Sequence, residues 1–196
     1  MRSPNLRLTS LAIALLVAAP GFASPAKEEV SKPIKTVIQA VRFNKDPLAL
    51  KNFAGEEQGK LLLADDWSKG TEAQRKEFIT LFHSLFSQKA FPNIRKNLEN
   101  LDTVLYDEPT VSGEKAEIGS TILINHPLKK QELKAKYQLV KDKTGWKVVD
   151  VSVLGDSMLK GIRDPQIIDI MKEGGWEKLL ALMRSEVKKG DGAAKK

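Results

Sequence analysis

The stretch WKVVDVSVLGDSMLKGIRDPQIIDIMKEGGWEKLLALM, Trp146–Met183, decides the fold, because the period of its apolar residues changes partway along. Val149, Val151 and Val153 alternate with Asp150 and Ser152, the two-residue period of a half-buried strand. After Gly155-Asp156-Ser157 the spacing lengthens. Asp164 as a cap and Pro165 at the first helical position open a helix carrying Ile167, Ile170 and Met171, and Gly174-Gly175 stops it. Trp176, Leu179, Leu180, Met183 and Val187 form the stripe of a closing helix, and residues 190–196 read as a flexible tail.

Upstream of this junction the period of two persists back to Thr103. Four strands are expected, Thr103–Val111, Lys115–Ile124, Glu132–Lys141 and Trp146–Leu154, separated by turn-like Ser112-Gly113, Asn125-His126-Pro127 and Asp142-Lys143-Thr144-Gly145. Connections this short favour an antiparallel meander. Alternation puts Ala116, Ile118, Ile122 and Ile124 on one face with Leu133, Ala135, Tyr137 and Leu139, and Val149, Val151 and Val153 join them. Before Thr103 the period is helical. Ser31 is placed to cap a helix with Ile34, Val37, Ile38 and Val41. A second helical region runs from Pro47 to Asp66, weakened by Gly55 and Gly59. Thr71 and Gln74 form a capping box before a helix with Phe78, Leu81, Phe82 and Leu85 on one face, and a further helix spans about Phe91 to Leu101. The fold class is α+β: a four-stranded, curved antiparallel sheet covered on one face by amphipathic helices from both ends of the chain.

The first 23 residues read as a cleaved leader. Arg2 and Arg7 precede the twelve-residue run Leu8–Ala19, which is too short for a hydrocarbon core that needs about twenty apolar residues. Residues 24–189 then make one domain, exported and without a transmembrane anchor. The absence of cysteine removes disulfides, thiolate chemistry and a lipid-modified cysteine. The formal charge of +7, less Arg2 and Arg7, leaves +5. That surplus suits anionic head groups or acidic protein surfaces, whereas export and the lack of aromatic-basic interleaving argue against nucleic acid.

Two segments carry a resemblance. The order of Trp-led strand, Gly155-Asp156-Ser157, Arg163 and Gln166, Gly174-Gly175 and closing helix resembles the MlaC family, also called toluene-tolerance proteins. So does the helix TEAQRKEFITLFHSLF, Thr71–Phe86. These proteins are periplasmic phospholipid-binding components of an ABC-transporter pathway that moves lipid between the two bacterial membranes. The resemblance implies a sheet NTF2-like in character and an apolar cavity between sheet and helices for acyl chains, with the head group at its mouth. Carried onto this chain, the candidate walls are Phe78, Phe82, Leu85, Ile118, Ile122, Leu133, Ala135, Tyr137, Val149, Val151 and Val153. Arg163 and Gln166 are candidates for the head group or for bracing the corner between sheet and helix. The implied partners are phospholipid, an inner-membrane ABC-type transport complex and an outer-membrane complex. No cofactor and no metal are implied. Three positions depart from the family pattern: Gly161-Ile162 stands where an aromatic residue is expected, Val149 where Tyr is frequent, and Asp156 where an apolar residue is common.

Read residue by residue, the same apolar faces also describe a filled core, as in a periplasmic adaptor domain. An acid-base enzyme would draw on Tyr137, Asp150 or His83. Alternation sets Asp150 opposite the valines, hydrogen-bonded to a helix or loop, and His83 and His126 read as solvated residues. No glycine-rich phosphate loop is present, so ATP hydrolysis would belong to a partner.

Overall fold

The computed structural model describes residues 24–126 and 129–193, so the expected leader at 1–23, residues 127 and 128 of the expected turn, and residues 194–196 lie outside it. The first helix, α1 (Pro25–Arg42), begins earlier than Ser31. Ser24 is its cap, accepting from the Lys27 amide at 3.1 Å, and Pro25 sits in the first turn, where a missing N–H costs nothing. Ser31 is instead buried inside the helix. The region 46–69 is broken into α2 (Asp46–Leu50), α3 (Gly55–Leu63) and α4 (Asp66–Lys69). Between α2 and α3 the chain extends and bonds the free edge of the sheet, the Ala54 amide donating to the Val148 carbonyl at 2.9 Å and the Val148 amide to Asn52 at 2.8 Å. Helix α5 (Glu72–Lys89) opens with the expected capping box, Thr71 and Gln74 satisfying each other's backbone amides. It is followed by α6 (Phe91–Asn97).

The sheet is antiparallel and has six strands, not four: β1 (Leu101–Tyr106), β2 (Thr110–Ser112), β3 (Lys115–His126), β4 (Lys129–Asp142), β5 (Gly145–Val153) and β6 (Asp156–Ser157). The expected strand 103–111 splits at Asp107-Glu108-Pro109. Pro109 has no amide for a ladder, and Glu108 turns out to accept from the Ser24 hydroxyl at 2.6 Å. Both pieces pair with β3, and the order is β1-β3-β4-β5-β6. The register sets Ala116, Ile118, Ser120 and Ile122 opposite Leu139, Tyr137, Ala135 and Leu133 on one face. Helix α1 packs against β3 and β5, while α3 and α7 (Met158–Ile162) meet β5.

Alternation along β5 fails at one point. Gln138 faces Asp150 but Leu139 faces Val148, so Val149 is the extra residue of a β-bulge and Val148 takes the core position expected for it. The helix after the sheet also starts sooner than expected. Ser157, not Asp164, is its cap, accepting from Lys160 N at 3.1 Å. Asp164 and Pro165 lie within a single π-turn, Arg163–Ile167, because proline cannot donate to the preceding turn and the helix widens around it, Ile168 N reaching back to Arg163 O. Helix α8 (Ile168–Ala193) breaks where expected, at Gly175, whose φ of 58° is left-handed. It then runs into the segment read as a tail, as far as Ala193, held by Gln88, which donates to Asp191 at 2.9 Å.

The sheet and the helix that follows it are joined at a carboxylate. Asp150 is 4 % exposed, and it accepts from its neighbour Val151 N at 2.8 Å, from Leu159 N at 3.1 Å in the first turn of α7, and from the Ser157 hydroxyl. A carboxylate at a helix N-terminus is favoured by the orphan amides there. Asp150→Ala strands three donors and is expected to lower stability by about 3 kcal/mol, measured as a fall in the urea midpoint. Ser157→Ala is expected to cost about 1 kcal/mol. Equal, small effects from both would contradict this junction.

Candidate functional site

The first turn of α5 is set by its capping box, which aims Phe78, Phe82 and Phe86 along one side at a spacing of four residues. Their rings run in series, with centroids 6.0 and 5.8 Å apart, and Phe91 closes the row 5.3 Å beyond Phe86. At the other end, Trp67 and Trp176 stand 6.1 and 6.0 Å from Phe78. The Gly175 break turns Trp176 so that its indole donates to the Asp66 carbonyl at 3.0 Å. The second half of α8 then lies on α5, with Arg184 bidentate to Glu77 at 2.6 and 2.8 Å.

The two helices are tied at both ends, by Trp176 against Phe78 and by the Gln88–Asp191 bond, and a gap opens beside them where the π-turn and the first half of α8 pass. There a cavity of 520 Å³ is walled by Phe82, Leu85 and Phe86 of α5, by Ile162 and Ile167 near the π-turn, and by Ile170, Leu179 and Met183 of α8. Its polar margin is Lys89, Gln166 and Glu186. This volume falls inside the range of about 300–1,000 Å³ common for small-ligand sites, which are mostly apolar with a few polar groups. The π-turn helps make the space. A widened turn changes the facing of the residues it carries and of those after it, and Gln166 and Ile170 line the gap together with Ile162 from the end of α7.

The residues expected from the sequence fall into distinct places. Phe82, Leu85 and Gln166 line this cavity. Phe78 is fully buried in the aromatic row. Ile118, Ile122 and Tyr137 are buried on the sheet face, and Leu133 and Val151 are half-buried against the same core. Val153, at the end of that face, is 37 % exposed. Val149 borders a recess of 410 Å³ beside Leu61 and Leu139. Ala135 and Arg163 border an open groove of 1,040 Å³ over the charged face of the sheet, with Lys134, Lys136 and Glu117. Arg163 lies 4.0 Å from Asp164, so Arg163 and Gln166 face different spaces. Phe86, Ile162 and Met183 were not among the expected walls. The four-residue spacing from Phe82 points to Phe86, and nothing in the sequence marks Ile162, because it ends α7, whose start at Ser157 was not expected.

Among the interior ionisable groups Tyr137 and His83 hold hydrogen-bond partners, whereas the buried Tyr106 hydroxyl has none among the described residues. The Ser120 hydroxyl donates to Tyr137 at 3.3 Å, and burial pushes the phenols of both Tyr137 and Tyr106 up. His83 is half-buried rather than solvated. Gln58, 2 % exposed, donates its amide to the Val149 carbonyl at 3.1 Å, which leaves its oxygen to face His83 Nε2 at 2.9 Å. That geometry requires a proton on Nε2. The bulge, α3 and α5 are thereby linked through one side chain. Burial lowers the His83 pKa from the ordinary 6.5. With the folded pKa below the unfolded one, the unfolded chain binds more protons on acidification, so stability is full above about 6.5 and falls below it. His83→Gln is expected to flatten the loss of stability between neutral and mildly acid pH, read from urea midpoints. Parallel pH profiles would contradict the assignment.

The fold and the cavity define a small α+β protein with a packed core and an apolar, ligand-sized space among its helices, without a metal-ligating cluster among the described residues. Its family follows from residues 30–185, which match the family described as "MlaC protein", and the chain belongs to that family. No curated protein matches. Among solved structures, it is similar to the phospholipid-binding protein from Ralstonia solanacearum, determined in complex with a phospholipid. The TM-score is 0.68 at 18 % identity, over 86 % of this chain and 99 % of the other. At that identity the likeness establishes the shared fold.

Proposed function

We propose that this protein is a phospholipid carrier of the periplasm, exported by the leader at 1–23, that takes lipid between an inner-membrane ABC-type complex and an outer-membrane complex. The observation that carries the reading is an apolar cavity of 520 Å³ within a chain of the MlaC family. The fold it shares with a protein solved with phospholipid bound supports it further. Acyl chains occupy the space between α5 and α8, against Phe82, Leu85, Ile170 and Met183, and Lys89 and Gln166 stand where a head group emerges. Further lipid volume comes from the half-buried end of the sheet face at Leu133, Val151 and Val153, should the helices separate from it.

The physics fits a carrier. Each buried methylene is worth about 0.8 kcal/mol, so two chains of about sixteen carbons gain ~25 kcal/mol on leaving water. The same chains are already out of water in a bilayer. Loading therefore exchanges one apolar environment for another, and release into water is prohibitively slow. A carrier of this kind exchanges lipid only at membranes or their complexes, and no chemical step is needed.

The test is solvent extraction and lipid mass spectrometry on natively purified protein. Stoichiometric phospholipid is expected, and Leu85→Trp, which fills the cavity, is expected to lower the lipid per folded molecule. A folded wild-type protein that carries no lipid and takes none from vesicles would refute the proposal.

A further inference from the structure

The corner between α1 and α2 exposes an aromatic residue beside cations that hold no carboxylate among the described residues, Lys35 lying over the Tyr106 ring at 5.5 Å and Arg42 over the Phe43 ring at 5.8 Å. Phe43, the C-cap of α1, is 60 % exposed, and Leu48 in α2 is 44 % exposed. Asn44, at a left-handed φ of 57°, turns the chain between them. The two apolar side chains border a groove of 370 Å³ whose other walls include Lys35, Gln39 and Lys45. Lys32, Lys35 and Arg42 recur at helical spacing on the outer side of α1, and Lys45 and Lys51 extend the cationic ring past the corner. Two carboxylates border it. Asp46 is already held by Arg95 at 2.7 Å, and Asp102 lies beside Arg42. None of the five cations is in an ion pair among the described residues, whereas many lysines elsewhere are paired.

This composition suits a lipid surface better than a folded partner. A stable protein interface needs on the order of 1,000 Å² with an apolar centre, and two apolar side chains inside a cationic ring do not supply one. They do suit a bilayer, where an aromatic and a leucine side chain enter the interface while lysine and arginine meet anionic head groups. Neither signal suffices alone, since weak apolar insertion needs an electrostatic second anchor.

We infer that the α1–α2 corner docks the protein on anionic phospholipid bilayers, with Phe43 and Leu48 in the interface and Lys35, Arg42 and Lys45 on the head groups. The inference goes beyond the carrier reading and does not depend on the cavity.

The test is co-sedimentation of the full mature chain with vesicles of phosphatidylcholine alone or with phosphatidylglycerol added, at low and at physiological salt. Binding is expected only with phosphatidylglycerol present, and is expected to weaken with salt. Each cation removed is expected to cost about fivefold in affinity, so K35E/K45E loses at least about 25-fold by the same scale. F43S/L48S, with unchanged circular dichroism and unchanged co-purified lipid, is also expected to lose binding. Three results would overturn the proposal: equal binding to neutral vesicles, unaltered binding by K35E/K45E, or no binding to anionic vesicles at low salt. In the last case, saturable binding of a purified acidic protein at the same residues would assign the corner to a protein partner instead. Loss of co-purified lipid in wild type would count against the carrier and not against this surface.

Discussion

The buried carboxylate of Asp150 is the joint on which the two halves of the molecule turn. Its oxygens take the Val151 amide, the Ser157 hydroxyl and the Leu159 amide, so a sheet edge and a helix N-terminus share one acceptor. A carboxyl group that deep is tolerated only when its polar atoms are hydrogen-bonded, and here the donors come from both sides of the junction. The direction of α7 is fixed as a result, and with it the position of the π-turn that follows directly.

From that joint the cavity follows as a geometric consequence. The β-bulge at Val149 is braced by Gln58, which passes the constraint to His83 on α5. The Trp176 contact with Asp66, the Arg184–Glu77 pair and the Gln88–Asp191 bond seat the second half of α8 along the aromatic row of α5. The π-turn at Arg163–Ile167 holds the first half of α8 at its own angle. Two helix segments pinned at separate points and interrupted at Gly175 do not close on each other, and the space between them is lined by what their amphipathic faces offer, which is apolar. Close packing is the rule in protein interiors. An apolar gap of this size is therefore a feature to be explained, and the proposed carrier function gives it a use.

Much of this was legible in the residues. The Thr71–Gln74 capping box and the break at Gly174-Gly175 lie where the structure has them, whereas the helix expected to reach Leu101 ends at Asn97 and the switch to a strand comes at Leu101, ahead of the expected Thr103. What alternation could not reveal was the bulge, since an extra residue in β5 leaves the pattern of valines intact while moving Val148 into the place of Val149. Asp164-Pro165 carries a strong helix-start signal, and it was overridden because Ser157 supplies a cap already tied to Asp150. The division of the candidate walls between cavity and core had no local signal at all. Phe78 and Phe82 are successive members of one stripe, yet only Phe82 borders the cavity, because the neighbour that covers Phe78 is Trp176 from a hundred residues away.

The central claim is that acyl chains lie between α5 and α8. The most direct measurement is photo-cross-linking with a phospholipid carrying a diazirine near the end of one acyl chain, followed by peptide mapping. The account requires adducts on Leu85, Ile170 and Met183. Adducts confined to the sheet face, at Ile118, Tyr137 and Leu139, would place the lipid elsewhere and contradict it.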